Sequence, residues 1–462
     1  MSRAVVLGGG FAGLLAAVAL RDHVDEVMVI ERDRYPDLPE QRPGVPQSRH
    51  CHLMVESCMR ALEALMPGTI ECLLSAGARR IDLTNNALIS APMGWFERFD
   101  LGTSVISCSR ALVDHVMREN AGIEIRQETT ADRLFGDKQR VGGVVLNRGD
   151  GTTEKLDAAL VVDATGRNSK APDWLSTLGV PAARASVVSS GMASSSRRYA
   201  ASNGLYDVLP AILLQPQDSA SANGRGATVY PIENEEFIVT LTGPKSDPPP
   251  VSEDGFLQYA RSVGPEIVAD LMAASPPVGL VNGYRNLSNI WRHYDEATFP
   301  RGFLALGDAF VAVEPTHSLG MASAALGARW LSENLPSVGL DGNLQAGIAE
   351  AATAFWDVTR MQQTAQDKKP EKPSSSLSSL ERRISQQIAL ATLRSKELAK
   401  DFFQTRAHPG EGSALTTQER LKLAMKVRKP PLSTLEAMAQ FPELEKWVAE
   451  FGVFECKIES TS

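Results

Sequence analysis

A chain of 462 residues with 43% hydrophobic and 22% charged side chains exceeds what one hydrophobic core usually spans and has the make-up of a globular enzyme, not of a disordered or fibrous chain. Its formal net charge of −8 excludes a broad basic face for nucleic acid and leaves room only for a local basic patch toward an anionic substrate. Cys51, Cys58, Cys72, Cys108 and Cys456 form no C-x-x-C pair and read as reduced thiols of a cytoplasmic protein; no run approaches the roughly 18 apolar residues of a membrane span, the N-terminus opens on a strand and not on a secretory leader, and no metal site is expected.

Residues 4–7 (AVVL) are a β-branched run ended by glycines, residues 11–21 carry Leu and Ala at helical spacing, and residues 26–30 (EVMVI) are a second apolar run. Strand, turn, helix, strand is the opening of a doubly wound α/β sheet. The turn reads Gly8-Gly9-Gly10-Phe11-Ala12-Gly13 and fits G-x-G-x-x-G in the right context. Gly8 permits the tight turn, Gly10 lets the backbone approach a pyrophosphate, and Gly13 lets the helix pack on the strand. The helix N-terminus, with Phe11 and Ala12, then faces the phosphates. Glu31 ends the second run 18 residues after Gly13, where a carboxylate binds ribose hydroxyls, and Arg32 follows it. The fingerprint does not by itself separate FAD from NAD.

Residues 37–49 read as a loop, and residues 50–66 and 109–119 as helices. Strands are expected at 122–127, 141–147 and 156–162, with a turn at Asp150-Gly151. In 160–169 (LVVDATGRNS) an apolar strand runs into Asp163, Thr165 and Gly166, small residues that let a backbone approach a cofactor. Residues 185–300 change character: alternating runs at 226–232 and 236–242 suggest an antiparallel sheet with one helix near 253–274. Residues 302–308 return to a buried strand. It delivers Asp308 toward a ribityl chain, followed by a loop with Pro315 and by Gly320, Met321 and Ala322 at the start of a helix over 320–335. Backbone N–H groups there can stabilise negative charge on a reduced flavin. Residues 366–379 read as a low-complexity linker, and helices follow near 380–404, 416–427 and after 433.

With these three cofactor segments in order, residues 1–340 resemble the flavoprotein monooxygenase superfamily that includes para-hydroxybenzoate hydroxylase and squalene epoxidase. The segment 42–54 (RPGVPQSRHCHLM) is similar to one in bacterial epoxidases that act on polyketide olefins in polyether pathways. Gly94-Trp95, Cys108-Ser109-Arg110, Asp163-Ala164-Thr165-Gly166-Arg167 and Ser190-Gly191-Met192 agree in order. The resemblance implies an FAD-binding Rossmann-like domain from residues 1–184 and 301–365. An inserted antiparallel-sheet substrate domain occupies 185–300, and a C-terminal helical region occupies 380–462. It places Arg42 and Arg110 at the cofactor's phosphates or adenosine, Gly44 and Val45 beside the flavin ring, and Thr130 by the adenine.

The activity so implied is insertion of one oxygen atom of O2, through a C4a-hydroperoxyflavin, into an olefin of a bulky lipophilic polyketide or terpenoid. Electrons come from NAD(P)H directly or through a separate flavin reductase. Alternatives are aromatic hydroxylation and a flavin reductase or dehydrogenase like the geranylgeranyl reductases. The W-x-W-x-I-P signature of flavin halogenases is absent. His50 and His52 read either as acid–base groups or as local hydrogen-bonding partners. Arg197, Arg198 and Tyr199 read either as pocket residues or as solvated side chains. The tail either covers the pocket or packs plainly.

Overall fold

A computed structural model gives the structure of residues 2–50, 52–189, 191–215, 224–285, 288–296, 299–314, 319–367 and 376–451. The expected opening is present as strand Arg3–Leu7, helix Phe11–Leu20 and strand Glu26–Ile30. Five parallel strands form the cofactor sheet, in the order Phe303–Ala305, Leu160–Asp163, Arg3–Leu7, Glu26–Ile30 and Glu124–Arg126. Leu7 lies level with both Asp163 and Ile30, so the three strand ends and the glycine turn share one edge. Val5, Val6, Val161, Val162 and Leu304 are fully buried, as parallel strands covered on both faces are. Helices Phe11–Leu20 and Leu319–Val338 pack on each other. They share one core with the antiparallel sheet of Thr129–Gly136, Val141–Arg148 and Thr153–Asp157.

A second, seven-stranded sheet runs Pro277–Tyr284, Met192–Ala200, Glu236–Pro244, Gly226–Ile232, Ala211–Leu214, Ala87–Ala91, Gly94–Trp95. Its first five strands are antiparallel, as the alternating runs suggested, but Ala87–Ala91 joins in parallel with Ala211–Leu214. Alternation divides its faces. Phe237, Val239 and Leu241 enter a core with Phe256 and Leu271 of the helices Glu253–Arg261 and Ile267–Ala273. Ile238, Thr240 and Thr242 face the other way, opposite Arg198, Ser196 and Ser194 on the next strand. This second surface is the inner face of the sheet.

Several elements differ from expectation for local reasons. The helix read over 253–274 is two, because Gly264 at φ +139° and Pro265 interrupt it. The helix read from residue 50 begins at Glu56, because Leu53–Met54 pairs with Ile106 and Ser107 as a strand. The helix read over 380–404 is divided into Ser376–Thr392 and Lys396–Ala407, the second N-capped by Ser395. A helix Leu344–Asp367, not foreseen, enters the stretch read as a linker, whose residues 368–375 lie outside the described part.

The tail lies along the second sheet. Leu432 bridges Trp95 across the sheet edge, Phe402 and Phe403 lie 5.7 and 5.1 Å from the Phe96 ring, and Trp447 Nε1 donates to the Asn203 carbonyl at 3.0 Å. Among the described residues no helix is long and apolar enough to cross a membrane.

Candidate active site

The glycine turn is closed to larger residues. Gly8 sits at φ +96° and donates to the Ile30 carbonyl at 2.8 Å; a Cβ on it would stand 2.6 Å from the Ala164 carbonyl oxygen. A Cβ on Gly13 would stand 1.8 Å from the Gly8 carbonyl oxygen, so strand and helix approach as only glycine allows. The first bond of the helix runs from Leu14 N–H to the Gly10 carbonyl at 3.0 Å. The amides of Phe11, Ala12 and Gly13 therefore have no intrahelical acceptor and stand at the positive end of the helix dipole.

Glu31 is buried beside this turn. Its carboxylate accepts the Gly9 amide at 2.8 Å and the Asp33 amide at 3.0 Å, and pairs with Arg42 at 2.9 Å. Arg42 also meets Asp33 at 3.2 Å and the Gly9 carbonyl at 3.2 Å, and lies 4.8 Å over the Tyr35 ring. Asp33 accepts the Gly44 amide at 2.7 Å, which fixes the loop carrying Gly44 and Val45. The Tyr35 hydroxyl donates to the Gly9 carbonyl at 2.7 Å. Burial opposes the charge of Arg42, yet Glu31 and Asp114 outweigh it and hold its pKa above the ordinary value. Asp33 and Tyr35 belong to this cluster and the sequence did not announce them. Arg110 donates to Asp114 at 2.7 Å and lies 5.2 Å from the Phe11 ring centroid, while Arg32 is exposed. Thr130 is exposed on its strand; the adjacent Thr129 donates its amide to the Glu31 carbonyl at 3.0 Å.

The other two segments meet the same helix end. The Asp163 carboxylate accepts the Thr165 amide at 3.0 Å and its hydroxyl at 2.6 Å, with Ser169 on its second oxygen, and so shapes the turn through Gly166. Gly307, at φ +63°, approaches helix Phe11–Leu20 so closely that a Cβ would stand 2.7 Å from that of Ala12. Arg292 holds the carbonyls of Asp308, Ala309 and Arg167 at 3.1, 3.2 and 2.6 Å. Asp308 Oδ1 lies near Gly320, 3.7 Å from where a Cβ would be, while the side chains of Met321 and Ala322 are buried in the core. Burial pushes the Asp308 carboxyl up, against Arg167, Arg110 and Arg292. Pro315 lies outside the described residues.

These residues fit an FAD. The unpaired first-turn amides suit a pyrophosphate, Arg42 Nε is buried with no partner among the described residues, and no donor among them reaches the Asp308 carboxylate. When bound, FAD supplies two-electron chemistry and, once reduced, reactivity toward O2.

The inner face of the second sheet adjoins this region through the loop that follows Val45. His50 Nδ1 meets Ser196 Oγ at 2.7 Å, Ser196 Oγ meets Thr240 Oγ1 at 2.7 Å, and the Tyr284 ring lies 5.4 Å from the His50 ring. His52 Nε2 meets the Gln47 carbonyl at 2.9 Å. Burial lowers both imidazoles to about 4, reinforced at His50 by His52 and Arg49 and at His52 by Arg110. Both are neutral at pH 7. Of the arginines and tyrosine left open by the sequence, Arg197 and Tyr199 point away from this face. Arg197 donates to the Gly279 carbonyl at 2.9 Å and pairs with Glu253, and Tyr199 stacks on Phe237 at 5.5 Å. Arg198 is on the inner side and pairs with Glu236 at 3.1 Å.

A dinucleotide-type parallel sheet whose strand ends, glycine turn and Gly307–Asp308 segment meet at one edge, with a second sheet reached through the loop after Val45, defines an FAD-binding protein. The chain belongs to the family described as FAD binding domain, which matches residues 1–343. It is 28% identical over 369 residues to Protein Rv3254 of Mycobacterium tuberculosis, covering 75% of this chain and 76% of that protein. Among solved structures it is similar to p-nitrophenol 4-monooxygenase PnpA from Pseudomonas putida DLL-E4. That match has a TM-score of 0.64 at 17% identity and covers 89% of this chain and 100% of that one. A flavoprotein/dehydrogenase from Cytophaga hutchinsonii gives 0.63 at 14% identity over 88% and 92%. Both likenesses are of fold.

Proposed function

We propose that this FAD-dependent monooxygenase places one oxygen atom of O2 on a carbon–carbon double bond of a bulky lipophilic substrate of polyketide or terpenoid type. The observation that carries this reading is the state of His50, the imidazole on the inner face. A useful general base has a pKa near the working pH. His50, lowered to about 4, is a weak base at neutrality. Epoxidation needs no strong base, whereas hydroxylation of a phenol gains from a group that ionises it. What the reaction asks of this chain is placement and exclusion of water. The amides of Phe11, Ala12 and Gly13 and Arg42 take the pyrophosphate, Glu31 and Asp308 the sugar-like hydroxyls, and Gly44 and Val45 flank the ring. Ser196, Thr240 and His50 orient the polar parts of the substrate. The cofactor unit is then residues 1–184 with 301–365, and the substrate unit 185–300 with the strands of 87–95 added. Electrons arrive from NAD(P)H, directly or through a separate flavin reductase.

One observation favours aromatic hydroxylation as a second reading: the chain from His50 through Ser196 to Thr240 is continuous enough to pass a proton. A single experiment divides the readings. The FAD-loaded protein is reduced without air and mixed with labelled O2 and a lipophilic polyene, then with a phenol. One labelled atom per molecule in an epoxide, at a rate flat between pH 6 and 8, is the expected result. Label in a hydroxylated phenol, with a rate that rises with pH, selects the second reading. Reoxidation with no label in any product rejects oxygen transfer.

A further inference from the structure

A cleft of about 340 Å³ opens where the tail meets the second sheet. Its walls come from strand Arg79–Thr84, the segment 207–210 that leads into strand Ala211–Leu214, and the start of helix Pro442–Phe451. Sites that take small organic molecules begin at about this size. No residue of the glycine turn, of the turn after Asp163, of Gly307–Asp308 or of the His50–Ser196–Thr240 chain lines it. Buried Ile81, Leu209, Ala211 and Leu444 give it an apolar floor. Arg80, Arg98, Asp207 and Glu443 are exposed and form its mouth, and Arg79 is half-buried.

Neutral groups hold these arginines in place. Arg79 donates to the Tyr206 carbonyl at 3.4 Å and lies 4.5 Å over the Tyr206 ring, whose hydroxyl donates to the Ile232 carbonyl at 2.7 Å. Arg98 donates to the carbonyls of Asn85 at 2.7 Å and Gln440 at 2.8 Å, and lies 4.8 Å over the Phe441 ring. Arg80 donates to the Ser104 hydroxyl at 3.2 Å. Among the described residues none of the three has a carboxylate within ion-pair reach, although Asp207 and Glu443 line the same cleft, and those two carboxylates accept no hydrogen bond. Opposite charges thus share the cleft without closing on one another.

A guanidinium already ordered by carbonyls and a ring loses little further freedom when it grips an oxyanion. Asp207 and Glu443, held by no hydrogen bond, offer a cation no such prepared grip. Three guanidinium groups against two carboxylates leave one net positive charge in the cleft, which matches a single carboxylate better than a phosphate's two charges. The floor favours an apolar body behind that charge. We propose that the cleft binds a small organic carboxylate with an apolar body, its oxygens on the arginines and its body on the floor. Such an occupant touches both the sheet side and the start of helix Pro442–Phe451, and so ties the tail to the second sheet. The site stands whether or not the protein transfers oxygen.

The test uses the FAD-loaded, oxidised full chain without reductant. Naphthoate and its neutral counterpart naphthamide are titrated by calorimetry, while bound-flavin absorbance and amide hydrogen exchange are followed. Naphthoate is expected to bind at least about ten-fold more tightly than naphthamide. It should slow exchange in Arg79–Thr84 and Pro442–Phe451 and leave the flavin spectrum unchanged. Arg79→Gln should remove most of the preference. Glu443→Gln, at an exposed position, should tighten binding of the dianion naphthyl phosphate, because it takes away a repelling carboxylate. Equal binding of naphthoate and naphthamide, a preference that survives Arg79→Gln, or protection confined to the cofactor edge overturns the proposal. If Arg79→Gln fails to fold, the wild-type ratio, the exchange map and Glu443→Gln decide, and no gain for naphthyl phosphate in that variant overturns it as well.

Discussion

Glu31 and Arg42 show how much of a site lies in contacts that spacing alone does not reveal. The sequence led to the expectation that each meets the cofactor, Glu31 from its place after the second strand and Arg42 from the family resemblance. Their mutual ion pair at 2.9 Å, with Asp33 and Tyr35 closing the cluster, was not visible there, because residues two to eleven apart on an irregular loop follow no period. The histidines were visible too, but only the structure shows His50 buried and His52 half-buried, each hydrogen-bonded and held neutral at pH 7. That state has a consequence for stability. The unfolded chain takes up a proton on each imidazole near the ordinary value of 6.5, whereas the folded chain resists until about 4. A folded-state pKa below the unfolded one means that protons favour unfolding. The stability is therefore complete above about pH 6.5 and lost as pH falls toward 4. At about 1.4 kcal/mol per pKa unit, the loss from the pair is on the order of several kcal/mol. His50→Asn can keep a hydrogen bond to Ser196 but has nothing to titrate. Denaturant unfolding at pH 7, 5.5 and 4.5 should show nearly wild-type stability at pH 7, within about 1 kcal/mol, and a shallower decline below it. An undiminished decline would mean that His50 is already protonated in the folded chain.

Elements were legible where they carry their own period and punctuation. The opening strand, helix and strand and the two alternating strands of the second sheet are self-contained patterns and stand within a residue or two of where they read. The seams were not legible. Leu53–Met54 is a strand only because Ile106 and Ser107 pair with it, and Ala87–Ala91 only because Ala211–Leu214 lies alongside. The tail was legible as amphipathic helices, but an apolar stripe does not name the surface it covers. That surface is the second sheet. Leu444, Trp447 and Val448 of helix Pro442–Phe451 are buried in the core that contains Leu205, Phe237 and Leu271. Trp447→Ala would empty an indole-sized volume there and leave the Asn203 carbonyl without its donor. The expected cost is about 3–5 kcal/mol, read as a shift in denaturation midpoint. A loss under about 1 kcal/mol would show that the helix rests on the sheet without stabilising it.

At the scale of the molecule, the cofactor edge joins pieces that are far apart in sequence: the turn at Gly8–Gly13, the turn after Asp163 and the segment Gly307–Asp308 with the helix from Leu319. Glycines seat these pieces against one another, so their positions are set before any ligand arrives. Among the described residues, that edge offers no acceptor for Arg42 Nε, no donor for the Asp308 carboxylate and no anion for the first-turn amides. An FAD that supplies all three binds the folded state and has nothing comparable to bind in the unfolded chain. By mass action it stabilises the fold by about 2.7 kcal/mol at a hundred-fold excess over its dissociation constant. Thermal unfolding of the apoprotein should therefore move to higher temperature on adding FAD. Arg42→Ala should lose most of that gain, since it removes the buried guanidinium and leaves Glu31 uncompensated. Trp447→Ala lies in the second sheet's core, separate from the core that holds the strands and helix of the cofactor edge. It should lower the midpoint with and without FAD by the same amount, because distant sites add. If it also erased the FAD-dependent gain, the two sheets would unfold as one unit whose cofactor edge is held in place by the tail.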